Sequence, residues 1–468
     1  MVNSNSSAPP SSTFVDLAAY MAALEQLMQE LFDITDNAQI FQMKTSSAYA
    51  YHAILITEGN AQTDKPSTTQ SQHTVHISKQ ADFVDSIWLR IKVPQVSVNT
   101  GNWACWVPYL GHAICQELDV QISNIGCHKL TTHILNSHYQ YCVRATKRPV
   151  YDKMIGNTPD WTNVVSGSNA NGDNTMRSGY LYVPLPVFFD VDGKSLPLCM
   201  IPYNDVSIVV TTRSLLDCMV TGTTDVNGVP EVITKSTTSG ANGTVDTIGP
   251  LSLNIGMIQS ITTSEVRNAL SCATHTSVMQ QHQMLMSTPS INNSDTTKAV
   301  ELQFTHNVQD ISVTSRATFP NDTHSPSDSV YTSNYTTAKL QLNVAGTALE
   351  LGAAPTGAVT ISPFASLNLA YDNSHKYNEN GDIFEMVVPF YTCDSAPSDY
   401  GWYNIPFSNT KKWTGDAPSA GANLGKITSV TLTVETGNVH PEWRGVIEVS
   451  AVSHNIIMYA NGTVSIPY

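Results

Sequence analysis

In "SIWLRIKV", residues 86–93, Ile87, Leu89, Ile91 and Val93 take every second position, with Trp88, Arg90 and Lys92 between them. Successive side chains of a strand point to opposite faces, so this spacing builds one apolar face and one wetted face. The same alternation recurs in "LDVQIS" (Leu118, Val120, Ile122), "VELQFT" (Val300, Leu302, Phe304), "KLQLNV" (Leu340, Leu342, Val344) and "SVTLTVE" (Val430, Leu432, Val434). A chain with this period in both halves is committed to half-buried antiparallel strands. Helical spacing is confined to "TFVDLAAYMAALEQLMQELF". There, Thr13 and Asp16 stand at capping-box distance, and Leu17, Met21, Leu24, Met28 and Leu31 form one stripe. That stripe predicts an amphipathic helix with an acidic opposite face, packing on its own or a neighbouring subunit. The preceding "MVNSNSSAPPSS" is a polar tail with nothing to bury.

Between the strands run polar stretches such as 165–179 and 319–337, too rich in Gly, Asn, Ser and Pro to pack. Many short strands, long excursions and one leading helix predict β-sandwiches with Greek-key or jelly-roll connections. With 468 residues there is enough chain for two such units. The longest polar segment near the middle, 220–246, reads as a linker. The expected plan is a tail and helix over 1–35, a first eight-stranded jelly roll over 36–219, and a second over 247–468.

The surface implied is neutral and polar, because only 13% of residues are charged, and the net charge is -15. Nucleic acid, whose phosphates must be met by Lys and Arg, is a poor partner for it. The basic cluster Arg144, Lys147 and Arg148 reads as a solvated loop or a subunit contact. Eight scattered cysteines without a C-x-x-C pair suggest a reducing compartment. No apolar run approaches the roughly 20 residues of a membrane span, and the N-terminus does not read as a secretory signal, so a soluble protein made in the cytosol is expected.

Reaction chemistry finds little support. His73 and His76, three apart on a strand, fall on opposite faces and would not share a metal. Cys127, His128, His133, His138 and Cys142 include zinc-ligand types at spacings that fit no common zinc pattern. Asp190 and Asp192 resemble a hydrolase carboxylate pair but straddle an Asp-Gly turn signal, which explains them without catalysis. No nucleophile elbow, metalloprotease motif, phosphate loop or dinucleotide fingerprint occurs, so no catalytic, metal or cofactor residue is assigned. N-glycosylation sequons begin at Asn5, Asn242, Asn292, Asn321, Asn334 and Asn461, mostly in predicted loops; Asn242, Asn292, Asn321 and Asn334 are the candidate acceptors. Trp161, Trp402 and Trp413, if exposed on loops, would suit a glycan-binding jelly-roll protein, the competing reading.

The most specific stretch is "LPVFFDVDGKSLPLCMIPYNDVSIVV", residues 185–210. It resembles a strand-turn-strand of the major capsid proteins of nucleocytoplasmic large DNA viruses. The signature residues are Leu185, Pro186, Phe188, Phe189, Leu196, Pro197, Pro202 and Tyr203. "DFVDSIWLRIKVPQV", "CQELDVQISN", "KRPVYDKMIGN", "VELQFTHNVQDISVTSRAT" and "VIEVSAVSHNIIMYANG" are similar to further segments in the same order, with the iridovirus-like branch the best match. The resemblance implies a double jelly roll and a homotrimeric, pseudo-hexameric capsomer tiling an icosahedral virion shell. It also implies assembly in the host cytoplasm, minor capsid and penton proteins as partners, proximity to an inner membrane without a span, and no cofactor. Residues 181–210 would then be a strand pair buried on both sides, Phe188 and Phe189 facing opposite ways. The excursions 158–179, 220–246 and 319–337 would form outer towers or clasp neighbours, and the N-terminal helix would lie at the capsomer base.

Overall fold

The computed structural model describes residues 53–466 outside 60–63, 168–173, 191–193, 225–229, 235–236, 239–242, 286–288, 293, 319–330, 332, 338–340, 345–346, 351–360, 373, 409–420 and 440–442. The predicted N-terminal helix lies outside the described residues.

Eight strands make a first sandwich: β1 (Ala53–Glu58), β2 (Ser71–His76), β3 (Phe83–Val93), β4 (Cys115–Ile122), β5 (Ile125–Thr131), β6 (Gly179–Pro184), β7 (Val206–Thr212) and β8 (Leu251–Ile261). They pair antiparallel in two sheets, ordered β1-β8-β3-β6 and β2-β7-β4-β5. Eight more make a second: β9 (His275–Met284), β10 (Thr297–Glu301), β11 (Asn307–Ala317), β12 (Phe364–Tyr371), β13 (Ser374–Asn380), β14 (Trp402–Pro406), β15 (Val430–Thr436) and β16 (Arg444–Ala460). Their sheets run β9-β16-β11-β14 and β10-β15-β12-β13, again antiparallel. Adding eight to every strand number of the first sandwich reproduces the second. The chain is a double jelly roll, built from one Greek-key plan used twice.

Alternation sets which faces meet. Ile87, Leu89, Ile91 and Val93 of β3 are buried, and β8 lays Met257, Ile255 and Leu253 opposite Ile87, Leu89 and Ile91. Each such fully buried aliphatic contributes about 1.5–3 kcal/mol of transfer free energy. In the second sandwich Ile311 and Val313 of β11 face Ala451 and Val449 of β16 across the ladder, all buried. Val430, Leu432 and Val434 are buried on β15, and Leu118, Val120 and Ile122 on β4. Val300, Leu302 and Phe304 are buried too, although β10 ends at Glu301 and only the Leu302 N–H to Val430 carbonyl bond (2.8 Å) extends the pairing. Leu342 and Val344 lie in a separate hairpin, Gln341–Val344 with Thr347–Glu350, and Leu340 is outside the described residues.

Three sequence expectations change. The segment 220–246 is an excursion of the first sandwich rather than a linker. Within it, Met219–Thr224 pairs with both Pro230–Thr234 and Asn102–Trp106. The chain then returns as β8 to the centre of the first sheet, between β1 and β3, so a boundary at 247 would cut that sheet in two. Polarity marked where the chain leaves the sandwich, and it could not mark which strand closes it.

Residues 181–210 are also not two strands paired with each other. β6 and the two-residue strand Leu196–Pro197 both pair with β3, while β7 pairs with β2 and β4 in the other sheet. Pro184, Pro186 and Pro197 have no N–H for a ladder, so the chain turns instead, with Val187 N–H on Leu185 O (2.8 Å) and Asp190 N–H on Val187 O (2.9 Å). Without a strand there is no alternation. Phe188 and Phe189 both enter the first core, edge to face at 5.1 Å.

Finally, the stretch 319–337 does pack where it is described. Tyr331 and Tyr335 are buried, because their rings find cationic and aromatic partners between the two sandwiches.

Candidate functional site

The residues richest in polar chemistry gather where the sandwiches meet. Directly after β5, the helix α1 (Thr132–Tyr141) begins, with the Thr131 hydroxyl accepting from Ile134 N–H. Every residue of α1 except His138 is buried, because the helix lies against the outer face of β11, β14 and β16. His133 stacks on Trp402 at 5.6 Å, with Nδ1 3.4 Å from Glu448 and 3.3 Å from the Thr314 hydroxyl. Ser137 donates to the Ser312 hydroxyl (3.2 Å), and Tyr141 meets the Trp402 ring edge-on. Asn136 donates to the Tyr335 hydroxyl (2.8 Å) and accepts at Oδ1 from His112 Nδ1 (2.7 Å).

Charge at this seam is paired. Arg316 of β11 donates to Glu448 of β16 at 3.0 Å, both nearly buried. Burial alone would raise the Glu448 carboxyl; Arg316 and His133 overcome it and hold the group at about 2. The Tyr331 ring receives the guanidinium of Arg213 from the first sandwich at 3.7 Å and that of Arg316 from the second at 4.4 Å. Arg148, from the cluster read as a loop or subunit contact, lies within helix α2 (Arg148–Ile155) and donates to the Ser395 hydroxyl (2.9 Å) and Ala396 carbonyl. It is an intrachain clamp, and Asp399, accepting from Tyr109 (2.8 Å) and Gln140 (2.7 Å), closes the same edge.

His128 and His282, one from each sandwich, stack at 4.9 Å with Nε2 and Nδ1 2.6 Å apart. His128 Nδ1 accepts from Phe188 N–H (3.2 Å), so its proton sits on Nε2 and is donated to His282. Burial pushes His128 down to about 3, and His112 to about 4. Both are neutral imidazoles; His128 is wedged between the two sandwiches, and His112 packs within the first against Asn136 and Tyr151.

The other sequence candidates separate. His73 is buried and His76 is exposed, on opposite faces of β2, the latter 2.7 Å from Asp205. Cys127, His128, His133, His138 and Cys142 are spread over β5, α1 and its end, and no group of three or more His, Cys, Asp or Glu among the described residues is placed to hold a metal. None of the eight cysteines, all of them among the described residues, forms a disulfide. Asp190 ends the turn after Phe189; Asp192 is outside the described residues. Trp161 and Trp402 are buried and cannot stack on a sugar, which removes two of the three aromatics behind the glycan reading; Trp413 is outside the described residues.

Asn292 and Asn334 are half-buried, their side-chain oxygens accepting from the N–H of Ser294 and Thr336 in local turns; Asn242 and Asn321 are outside the described residues. Of the signature residues, Leu185, Pro186, Phe188, Phe189, Leu196 and Pro197 are buried, while Pro202 and Tyr203 are exposed. Sequence reasoning missed the seam itself. Its parts, Tyr331, Trp402, Arg316 and Glu448, come from distant segments with no shared spacing.

Two matched jelly rolls, locked by a desolvated polar seam, define a double-jelly-roll structural protein. Residues 42–248 match the family model described as the major capsid protein N-terminus, and 266–465 the model of the large eukaryotic DNA virus major capsid protein. The major capsid protein of Frog virus 3 (isolate Goorha) is 25% identical, with 97% of each chain covered; that of Wiseana iridescent virus is 28% identical over 77% of this chain and 71% of its own. Among solved structures, the PBCV-1 virus capsid model superposes with a TM-score of 0.66 at 15% identity, covering 90% of this chain and 98% of that one. The Faustovirus major capsid protein does so at 0.65 and 12% identity, covering 88% and 92%. The chain belongs to the major capsid proteins of the large eukaryotic DNA viruses.

Proposed function

We propose that three copies of this chain close into a pseudo-hexameric capsomer, and that such capsomers tile the icosahedral shell of a large DNA virus. The observation that carries this reading is the strand-for-strand repetition of the jelly roll within one chain. A ring of three such chains presents six similar sandwiches, and a near-hexagonal outline tiles flat faces. The role is structural: function resides in shape and edges, and no reaction is assigned to the chain. Membership of the family and the acidic net charge of -15 favour protein partners in the shell, namely further capsomers, minor capsid and penton proteins, over direct contact with the genome.

The first domain of this unit runs through Ile261, with the second following from Ser264 onward, where helix α3 (Ser264–Cys272) begins. Residues 13–32 would face inner proteins at the capsomer base, and assembly would take place in the host cytoplasm. The test is the solution mass of purified protein together with electron micrographs. A particle of three chain masses with a hexagonal outline is expected; a stable monomer at high concentration refutes the ring.

A further inference from the structure

The two sandwiches share a strand plan, but they do not share burial. After β5, α1 is covered by the outer face of β11, β14 and β16. The equivalent stretch after β13 is a π-helical turn, Ile383–Val387, running into helix α4 (Val388–Thr392). Phe384, Glu385 and Pro389 anchor it inward. Its outer face shows Met386 (51% exposed), Val387 (49%), Phe390 (69%) and Tyr391 (75%), four large apolar side chains within six residues.

The face that covers α1 has a twin as well. Adding eight to β3, β6 and β8 gives β11, β14 and β16, so the first sandwich carries the same outer sheet face. In the second sandwich that face is shielded, with Trp402 of β14 at 1% exposure. In the first, Tyr180 and Tyr182 of β6 stand 51% and 38% exposed, with Arg90 of β3 over the Tyr180 ring at 5.5 Å. A cleft of about 400 Å³ opens there, its lining including Asp64, Arg90, Lys92, Tyr180, Ser252 and Asn254. Among the described residues the helix-on-sheet contact is made once. Within them the second helix and the first sheet face are uncovered.

We infer that the Ile383–Thr392 helix of one copy docks on the outer face of β3, β6 and β8 of the next copy, repeating between chains the contact that α1 makes within one. The two surfaces differ, so the contact is head-to-tail, and a head-to-tail contact closes into a ring when its rotation divides a full turn. Complementarity supports the pairing. Phe390 and Tyr391 are the anchor types of interface centres, the cleft beside Tyr180 has room for an aromatic ring, and exposed Glu379 at the end of β13 and Asp382 just before the helix match Lys92 on the sheet face, where Arg90 is already paired with Glu58. The inference rests on the three-copy reading above and assigns its contacts.

The test uses the full chain in three forms: wild type, Phe390→Asp with Tyr391→Asp, and Tyr180→Asp with Tyr182→Asp. All four positions are solvent-exposed, so both variants should keep the wild-type circular dichroism spectrum. Wild type is expected at three chain masses and each variant at one. Mixing the two variants restores a single intact contact, between the helix of the Tyr180/Tyr182 variant and the sheet face of the Phe390/Tyr391 variant, so the mixture should reach two chain masses and stop. A wild type that is itself monomeric would overturn the three-copy reading. A trimeric wild type whose folded variants stay trimeric would overturn this contact alone, and so would variants that remain monomeric when mixed. If one variant does not fold, the other, with Tyr391→Ser or Tyr182→Ser as a milder replacement on the failing side, carries the same comparison.

Discussion

Acid should loosen the protein well above the range in which carboxylates titrate. His112 and His128 are buried and neutral, held at about 4 and about 3 against an ordinary value of 6.5. Desolvation is the leading cause in both; the Asn136 hydrogen bond pulls His112 slightly the other way. For a group depressed in the fold, stability is complete above the unfolded value and is lost as pH falls toward the folded one, because only the unfolded chain takes up the proton. Each pH unit below 6.5 then removes about 1.4 kcal/mol per group. At pH 5 that is about 2 kcal/mol each and about 4 for the pair, a large share of the roughly 5–15 kcal/mol that holds a domain. His138 and His454, also pushed down by burial, act in the same direction. Glu448 acts lower: held at about 2 against 4.5, its contribution is intact above 4.5 and drains between 4.5 and 2. The window from pH 6.5 to 5 therefore belongs to imidazoles.

Urea midpoints from pH 7.5 to 5 measure the loss, and proton uptake on unfolding in weak buffer at pH 5 counts the groups. At least two protons per chain are expected, and His128→Gln should remove one whatever it costs in stability. Flat midpoints over that window, or uptake below one proton, would refute the assignment of buried neutral histidines.

Other outcomes follow from the same contacts. Trp402→Ala removes the ring that His133, Tyr141 and Tyr335 pack against; a loss of about 3–5 kcal/mol is expected, with the single thermal transition splitting in two as the sandwiches uncouple. Glu448→Gln leaves Arg316 buried without its carboxylate and should cost about 3–5 kcal/mol in chemical denaturation. Gly401 sits at φ +85°, and a Cβ there would lie 2.0 Å from the Tyr335 carbonyl oxygen; Gly401→Ala should cost more than the about 1 kcal/mol of the backbone conformation alone, read as a lower melting temperature.

Much of this fold was legible because a period of two is a local property. Ile87 to Val93 and Val430 to Val434 declare their buried faces without knowing what covers them. Closure is nonlocal. Nothing in "LSLNIGMIQSI" says that it returns across the excursion 220–246 to lie between β1 and β3, so no local pattern joins it to the first sheet. The signature at 185–210 was legible as a motif, yet its prolines leave only the two-residue strand Leu196–Pro197 on β3 between β6 and β7. The seam was illegible for the same reason as closure: Tyr331 joins Arg213 to Arg316 from three separate segments, and a polar loop sequence gives no hint that two of its tyrosines are buried.

The repeat also explains why such a chain would be held together by polar and cationic contacts at its waist but show bare aromatics at its ends. A contact within one chain forms as the chain folds, at no cost in translational freedom, so it can afford buried histidines and the Arg316–Glu448 pair, whose desolvation largely offsets their attraction. A contact between chains must first overcome several kcal/mol of lost translational and rotational freedom, which favours apolar area such as Phe390 and Tyr391 against Tyr180 and Tyr182. One strand plan can thus carry two chemistries at equivalent positions: helix α1 with His133, Asn136, Ser137 and Gln140 facing a partner in the same chain, and the Ile383–Thr392 helix with Met386, Val387, Phe390 and Tyr391 facing a partner that has to be found. The difference in composition between these two helices follows from which of them meets its sheet face by folding and which by assembly.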